Sequence, residues 1–324
     1  MKLHQDLDAF IMLLEDIHQK TGFRLDVLEK DYYVVLLLYE LAEKQQAGLK
    51  AYFKGGTALY KALKMTNRFS EDIDISVDTR GCTRTQSDKR LEQATKKYTV
   101  LPRDSAAGKT NRSEVKSVYR YTPVVVYDEN DLLQRFGTVK VEATSFTISE
   151  PVEPLEVVPL IYENASEEQK RVLENVYDVK PFIVQTITLE RIFVDKLFAA
   201  EAYVRNSSIE QKAFEAAKHI YDLSVMSVHP KIKLLLSDSK QMEYLLNIRM
   251  QEELERLDGI PKVKPKEFVF FDAVSDNLDV KKAYKVMQKQ YVLRETDIIA
   301  FEMAIVSLKF LNNALQKNSA WLKA

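Results

Sequence analysis

Two aspartates two residues apart, Asp72 and Asp74, stand in the run SEDIDISV, and sixteen residues separate Asp72 from Gly56 of an upstream Gly-Gly-Thr triplet. In an extended strand, side chains at i and i+2 share a face, so Asp72, Asp74 and Ser76 point one way and Ile73, Ile75 and Val77 the other. Two like charges on one face repel unless something positive lies near them. A hard divalent cation with oxygen ligands, typically Mg²⁺, meets that need. Taken alone, D-x-D is more often an amphipathic strand with a solvated acidic side. The upstream loop bears on that choice. Gly55 and Gly56 can adopt backbone angles closed to other residues, and Thr57 stands where a helix would begin, offering a hydroxyl and free N–H groups to a phosphate. A phosphate cradle close to a cation-binding strand is the minimum equipment for nucleotide chemistry.

The elements that must position these groups follow from periodicity. Residues 3–20 and 24–46 have helical spacing, the second with a thick apolar side made by Val34, Val35, Leu37, Leu38 and Leu41. AYFKGG reads as a short strand running into a loop, TALYKAL as a short helix, EDIDISV as a strand and QSDKRLEQATKKY as a helix. KSVYRYTPVVVYD and FGTVKVEATSF read as strands, paired across the polar connection DENDLLQR. The acidic stretch around EPLEVVPLIYENASEEQK holds short elements that periodicity does not place. Beyond residue 180 come long helical patterns: TITLERIFVDKLFAAEAYVR, IEQKAFEAAKHIYDLSVM, SKQMEYLLNIRMQEELERL and ETDIIAFEMAIVSLKFLNNALQK. GIPKVKPKEFVF is the one obvious loop among them. An α+β half, residues 1–178, is therefore expected ahead of a helical half, residues 179–324.

The 324 residues, 46% of them hydrophobic, are enough for a large core and, by size, two domains. Only eight glycines and nine prolines point to a helix-rich chain. One cysteine, Cys82, permits no internal disulfide, and four scattered histidines argue against a Cys/His zinc site. With no long apolar run and no secretory signal at MKLHQDLDAF, a cytoplasmic protein with no membrane partner is expected. The net charge of −1 hides an uneven distribution: residues 80–120 hold eleven Lys or Arg against four Asp or Glu. That segment could hold a polyanion, or be a solvated, turn-rich loop around VLPRDSAAGKTNRSEVK.

FKGGTALYK followed by RFSEDIDI resembles the signature of the AbiEii/AbiGii toxin family of the nucleotidyltransferase superfamily, and LEKDYY, Leu28 to Tyr33, resembles that family's opening helix. The resemblance covers most of the chain. It implies a small mixed sheet flanked by helices, followed by an all-helical domain closing a cleft. It also implies that Asp72 and Asp74 hold one or two Mg²⁺ ions, that Gly55, Gly56 and Thr57 contact the triphosphate of an NTP, and that Arg68 and Ser70 touch phosphate. Arg68 could equally brace the loop. The superfamily places a third acid on a neighbouring strand. In TVKVEATSF, Val139, Val141 and Ala143 form one face and Lys140, Glu142 and Thr144 the other, which makes Glu142 that acid and a third metal ligand.

In LERIFVDKLFAAEAY, Lys196 falls inside the stripe Leu189, Ile192, Phe193, Ala199, Ala200 and Tyr203. An ammonium there is costly unless it meets an anion or reaches solvent. The resemblance implies a triphosphate contact. AKHIYDLSVM resembles the family's R-D-x-x-D stretch, with Asp222 as its last acid, orienting Lys196 or positioning the acceptor. Lys218 and His219 depart from the pattern, standing where Arg and Asp are common. The implied function is transfer of an NMP from an NTP to an acceptor hydroxyl, with RNA, such as the end of a tRNA, as acceptor. The chain would be the toxin of a bacterial toxin–antitoxin or phage-defence pair, with an antitoxin encoded nearby. Transfer to a small molecule and nucleotide binding without turnover are the alternatives.

Overall fold

The computed structural model describes residues 2–111, 113–126, 136–205, 209–256 and 263–324. The chain forms two compact units, Met1–Lys64 with Phe69–Ile187, and Met65–Arg68 with Thr188–Ala324.

The first unit is built on a mixed sheet of seven strands: β1 (Ala51–Lys54), β2 (Ile73–Val77), β3 (Arg103–Thr110), β4 (Glu114–Arg120), β5 (Thr138–Thr144), β6 (Val152–Val157) and β7 (Phe182–Ile187). Their order is β3-β4-β5-β2-β1-β7-β6. The β2–β5 and β1–β7 pairs are parallel and the rest antiparallel. Alternation places the central strands: Ile73, Ile75 and Val77 of β2 and Val139, Val141 and Ala143 of β5 are all buried. The helices are α1 (Leu7–Thr21), α2 (Leu25–Gln46), α3 (Gly55–Lys61), α4 (Arg84–Thr95), α5 (Leu160–Glu163) and α6 (Glu167–Tyr177). Asp6 caps α1 by accepting from the Ala9 amide at 3.3 Å. Phe10, Leu13, Leu14 and Ile17 then form its buried stripe.

Three sequence expectations change. VLPRDSAAGKTNRSEVK is not simply a solvated loop: Arg103–Thr110 is an edge strand paired with β4 through a register shift between Asp104 and Gly108. Its small and polar residues show no apolar alternation, so only backbone pairing marks it as a strand. FIVQTI is a strand ahead of the helix expected from residue 186, and the unplaced acidic stretch supplies β6, α5 and α6. The strand expected in KSVYRYTPVVVYD ends at Arg120 and does pair with β5. The DENDLLQR connection lies outside the described residues.

The second unit is helical: α7 (Leu189–Arg205), α8 (Ile209–Ser227), α9 (Pro230–Ser237), α10 (Ser239–Arg256), α11 (Phe270–Ala273), α12 (Leu278–Tyr291), α13 (Phe301–Leu315) and α14 (Ser319–Lys323). α8 packs against α7, α12 and α13, with Ala216, Ala217, Ile220, Leu223 and Met226 buried between them. The short segment 65–68 is tied to this unit by an isolated bridge from Arg68 to Val292.

Candidate active site

Register aligns the charged side chains of the sheet. Lys54 on β1 pairs with Asp74 on β2, Asp74 with Glu142 on β5, and Glu142 with Lys116 on β4. Because facing residues in adjacent strands project to the same side, these four form one row across four strands. Asp72 immediately precedes β2, two residues before Asp74, and its Oδ2 lies 4.0 Å from Lys140 Nζ. Lys116 forms an ion pair with Glu142. Burial alone would lower the Lys116 pKa, but Glu142, with Asp72 and Asp74 behind it, raises it above the usual lysine value. Lys54 Nζ donates to the Thr144 hydroxyl at 3.2 Å. The carboxylates are half-buried, open enough to exchange partners.

The glycine turn is in direct contact with this row. Gly55 has φ +81°, and a Cβ there would lie 2.1 Å from Asp74 Oδ2. No other residue fits, on backbone angle and on space alike. The short helix α3 begins at Gly55, not at Thr57. Thr57 is fully buried, its hydroxyl donating to the Asp72 carbonyl and lying 3.0 Å from Ser70 Oγ. The Thr57 hydroxyl, expected at a helix start and open to a phosphate, is therefore turned inward. That side chain instead fixes the residues leading into the carboxylate strand, and Gly56 follows Gly55 in the first turn of α3.

Among the described residues, no three His, Cys, Asp or Glu side chains are gathered as a metal site. The donor set on this face is nonetheless all carboxylate oxygen, which suits a hard divalent cation.

Within the second unit, Arg68 Nε and Nη2 donate to the two oxygens of Asp222 at 3.0 and 2.8 Å. Lys196 Nζ donates to Asp222 Oδ2 at 2.7 Å. Asp222 is fully buried, on α8. Lys196 is also buried and meets an anion. Burial would raise the Asp222 pKa, but the Arg68 guanidinium and the Lys196 ammonium hold it well below the usual carboxylate range. Burial, with Lys196 adding to it, pushes His219 down to about 3, so its imidazole is neutral near pH 7. One carboxylate thus takes hydrogen bonds from two basic side chains in a buried, low-dielectric setting. Asp72, Asp74 and Glu142 with the glycine turn form one group, and Arg68, Lys196 and Asp222 form another.

The family model for the AbiEii nucleotidyl transferase toxin of type IV toxin–antitoxin systems matches residues 36–305. The chain belongs to the AbiEii nucleotidyltransferase toxin family. It is therefore a nucleotidyltransferase of the toxin–antitoxin type. The solved structure of MenT4, a nucleotidyltransferase toxin from Mycobacterium tuberculosis H37Rv, shares the fold at 16% identity and a TM-score of 0.51, over 94% of this chain and 98% of that one. JHP933 from Helicobacter pylori aligns over 91% of this chain and 97% of its own at 18% identity and a TM-score of 0.42. No curated protein sequence matches the chain. Among the described residues, no helix of this AbiEii family member is long and apolar enough to cross a membrane.

The two lysines of the row, Lys54 and Lys116, escape sequence reasoning. Alternation puts Lys140 on the Glu142 face, but only cross-strand register brings Lys54 and Lys116 beside the acids. The Arg68–Asp222 pair joins residues 154 positions apart, and no local signal in the sequence announces it.

Proposed function

We propose that this AbiEii family member transfers an NMP from an NTP to a hydroxyl of RNA, a tRNA end being the leading acceptor. The observation that carries the reading is the contact of the Gly55 turn with Asp74, in register with Glu142. It makes one surface of a turn suited to phosphate and a face of oxygen donors suited to a divalent cation. Asp72, Asp74 and Glu142 are the residues that would hold one or two Mg²⁺ ions, which when bound neutralise charge on the phosphates. The acceptor oxygen forms a bond to the α-phosphorus, the bond from that phosphorus to the bridging oxygen breaks, and pyrophosphate leaves. Glu142 takes the hydroxyl proton. Gly55 and Gly56 let the main chain approach the triphosphate, with Ser70 beside them and Thr57 fixing the turn from below.

To Lys196 we assign a triphosphate contact, supported by its position as an ammonium set in an apolar stripe of α7 and by the family resemblance. Asp222 orients that ammonium, and Arg68 holds Asp222. The excess of Lys and Arg over Asp and Glu across residues 80–120 supports an RNA acceptor over a small one. An antitoxin encoded nearby and a cytoplasmic setting belong to the same reading.

The test is incubation of the purified protein with each labelled NTP, Mg²⁺ and total RNA. Label is expected in RNA. Label on a small acceptor, or saturable NTP binding without transfer, would overturn the acceptor or the reaction respectively.

A further inference from the structure

α2 carries three consecutive charged residues, Glu29, Lys30 and Asp31, each no more than 2% exposed. Ionisable groups buried in a row are costly unless each meets its own partner, and burial pushes the Glu29 carboxyl up to about 7. Successive residues of a helix point about 100° apart, so the three reach different neighbours. Glu29 accepts from the Val124 amide at 2.7 Å. Lys30 Nζ donates to the carbonyl of Thr138 and lies 3.8 Å from Glu71 Oε2. Asp31 accepts from Lys61 Nζ, 2.8 Å from Oδ1, from the Tyr60 hydroxyl at 3.3 Å and from the Leu160 amide at 2.6 Å.

The residues at the far ends of these contacts are those that set the carboxylate face. Thr138 is the first residue of β5, four before Glu142. Glu71 directly precedes Asp72. Tyr60 and Lys61 lie on α3, which begins at Gly55. We infer that Lys30 and Asp31 are positioning residues: one ammonium ties the start of β5 to the approach to β2, and the adjacent carboxylate anchors the glycine-turn helix. The inference rests on the proposed reading of that face as the active site. It gives the Leu28–Tyr33 stretch a task that its apolar neighbours do not perform. Packing alone does not require it, because a buried ion pair can be replaced by apolar residues of similar volume without loss of stability.

Two paired variants test this in the full chain: Lys30→Met with Glu71→Gln, and Asp31→Leu with Lys61→Met. Each removes both members of its ion pair, so neither strands one of them without the other. Three quantities are read: the thermal midpoint, amide exchange over residues 69–77 and 138–144, and Mn²⁺ affinity by electron paramagnetic resonance. For the Lys30 pair we expect a cooperative transition, faster exchange in both segments and Mn²⁺ affinity about tenfold weaker or more. For the Asp31 pair the faster exchange should centre on the 69–77 segment, which the Thr57 hydroxyl of α3 contacts at Asp72. Should one pair fail to fold, the other decides. A folded variant with wild-type exchange in these segments overturns the inference. Wild-type protein that transfers no label would end the proposed reaction while leaving the exchange comparison to judge the positioning role.

Discussion

The two charged regions of this protein solve the same electrostatic problem in opposite ways. On the sheet, three carboxylates and three lysines share a half-buried face, where each ion pair is screened and contributes little. Around Asp222, one carboxylate and two cations are buried, with hydrogen bonds of 2.7 to 3.0 Å. The first arrangement is cheap to rearrange and therefore suited to exchanging partners with an incoming ligand. The second is held rigidly, because losing its carboxylate would strip two buried basic groups of the anion they share. Substitutions on the sheet face should therefore change activity with little effect on stability, and substitutions around Asp222 should cost stability first.

The largest expected effect is on the reaction. Asp74→Ala should lower nucleotide transfer by roughly 1,000-fold or more, since it removes a group acting on the charge of the transition state. Its denaturation midpoint should stay near wild type. A variant retaining near-normal transfer would remove Asp74 from the site and erase one side of the comparison.

Asp222→Ala comes next. It strands Arg68 and Lys196 without their anion and should cost about 3–5 kcal/mol by chemical denaturation. A loss as small as that of a surface pair would show that the cluster is not rigid. Gly55→Ala lies between the two regimes, because its cost is backbone strain of about 1–3 kcal/mol together with displacement of Asp74. Its transfer rate should fall further than its stability accounts for.

Acid should separate the regions as well. His219 has a folded pKa of about 3 against an ordinary 6.5, so the unfolded chain binds a proton that the folded chain refuses. Stability should fall as pH drops below 6.5, by up to about 1.4 kcal/mol per pH unit. Asp222, whose folded pKa is depressed below its ordinary 3.8, stabilises fully above that value and loses its contribution as pH falls beneath it. His219→Gln should remove the first decline and leave the second. Denaturation of both proteins from pH 7 to pH 3 checks it.

What the sequence disclosed divides along the same line. The shared face of Asp72 and Asp74 is legible because a strand has a period of two, whereas Glu142 is reached only through the family resemblance, its alignment with Asp74 being a matter of cross-strand register. Lys196 stands out as a charge in an apolar stripe. Its partner Asp222 shows no local oddity and is reached only through the family resemblance, and Arg68, which lies 154 residues away from Asp222, is announced as its partner by nothing local. The buried charges of Glu29, Lys30 and Asp31 look in sequence like the polar side of α2, and only tertiary packing reveals that this side is covered too. β3 has no apolar alternation, and FIVQTI is a short apolar run that suits strand or helix alike.

The smallest effect is the most discriminating. Lys116 and Glu142 retain 36% and 28% of their side-chain exposure, so Lys116→Met should change stability by no more than about 0.5 kcal/mol. Its effect on cation binding should be larger than that. An ammonium on Glu142 opposes a divalent cation seeking the same oxygens, and two unit charges 4 Å apart in water interact by about 1 kcal/mol. Removing the lysine should therefore tighten Mn²⁺ binding about fivefold at low salt. The gain should shrink at about 1 M salt, where the screening length falls to about 3 Å. Mn²⁺ titration of both proteins at two ionic strengths reads this directly. Weaker binding in the variant would mean that Lys116 holds Glu142 in place for the cation, and the sheet face would then be as preorganised as the buried cluster it is set against.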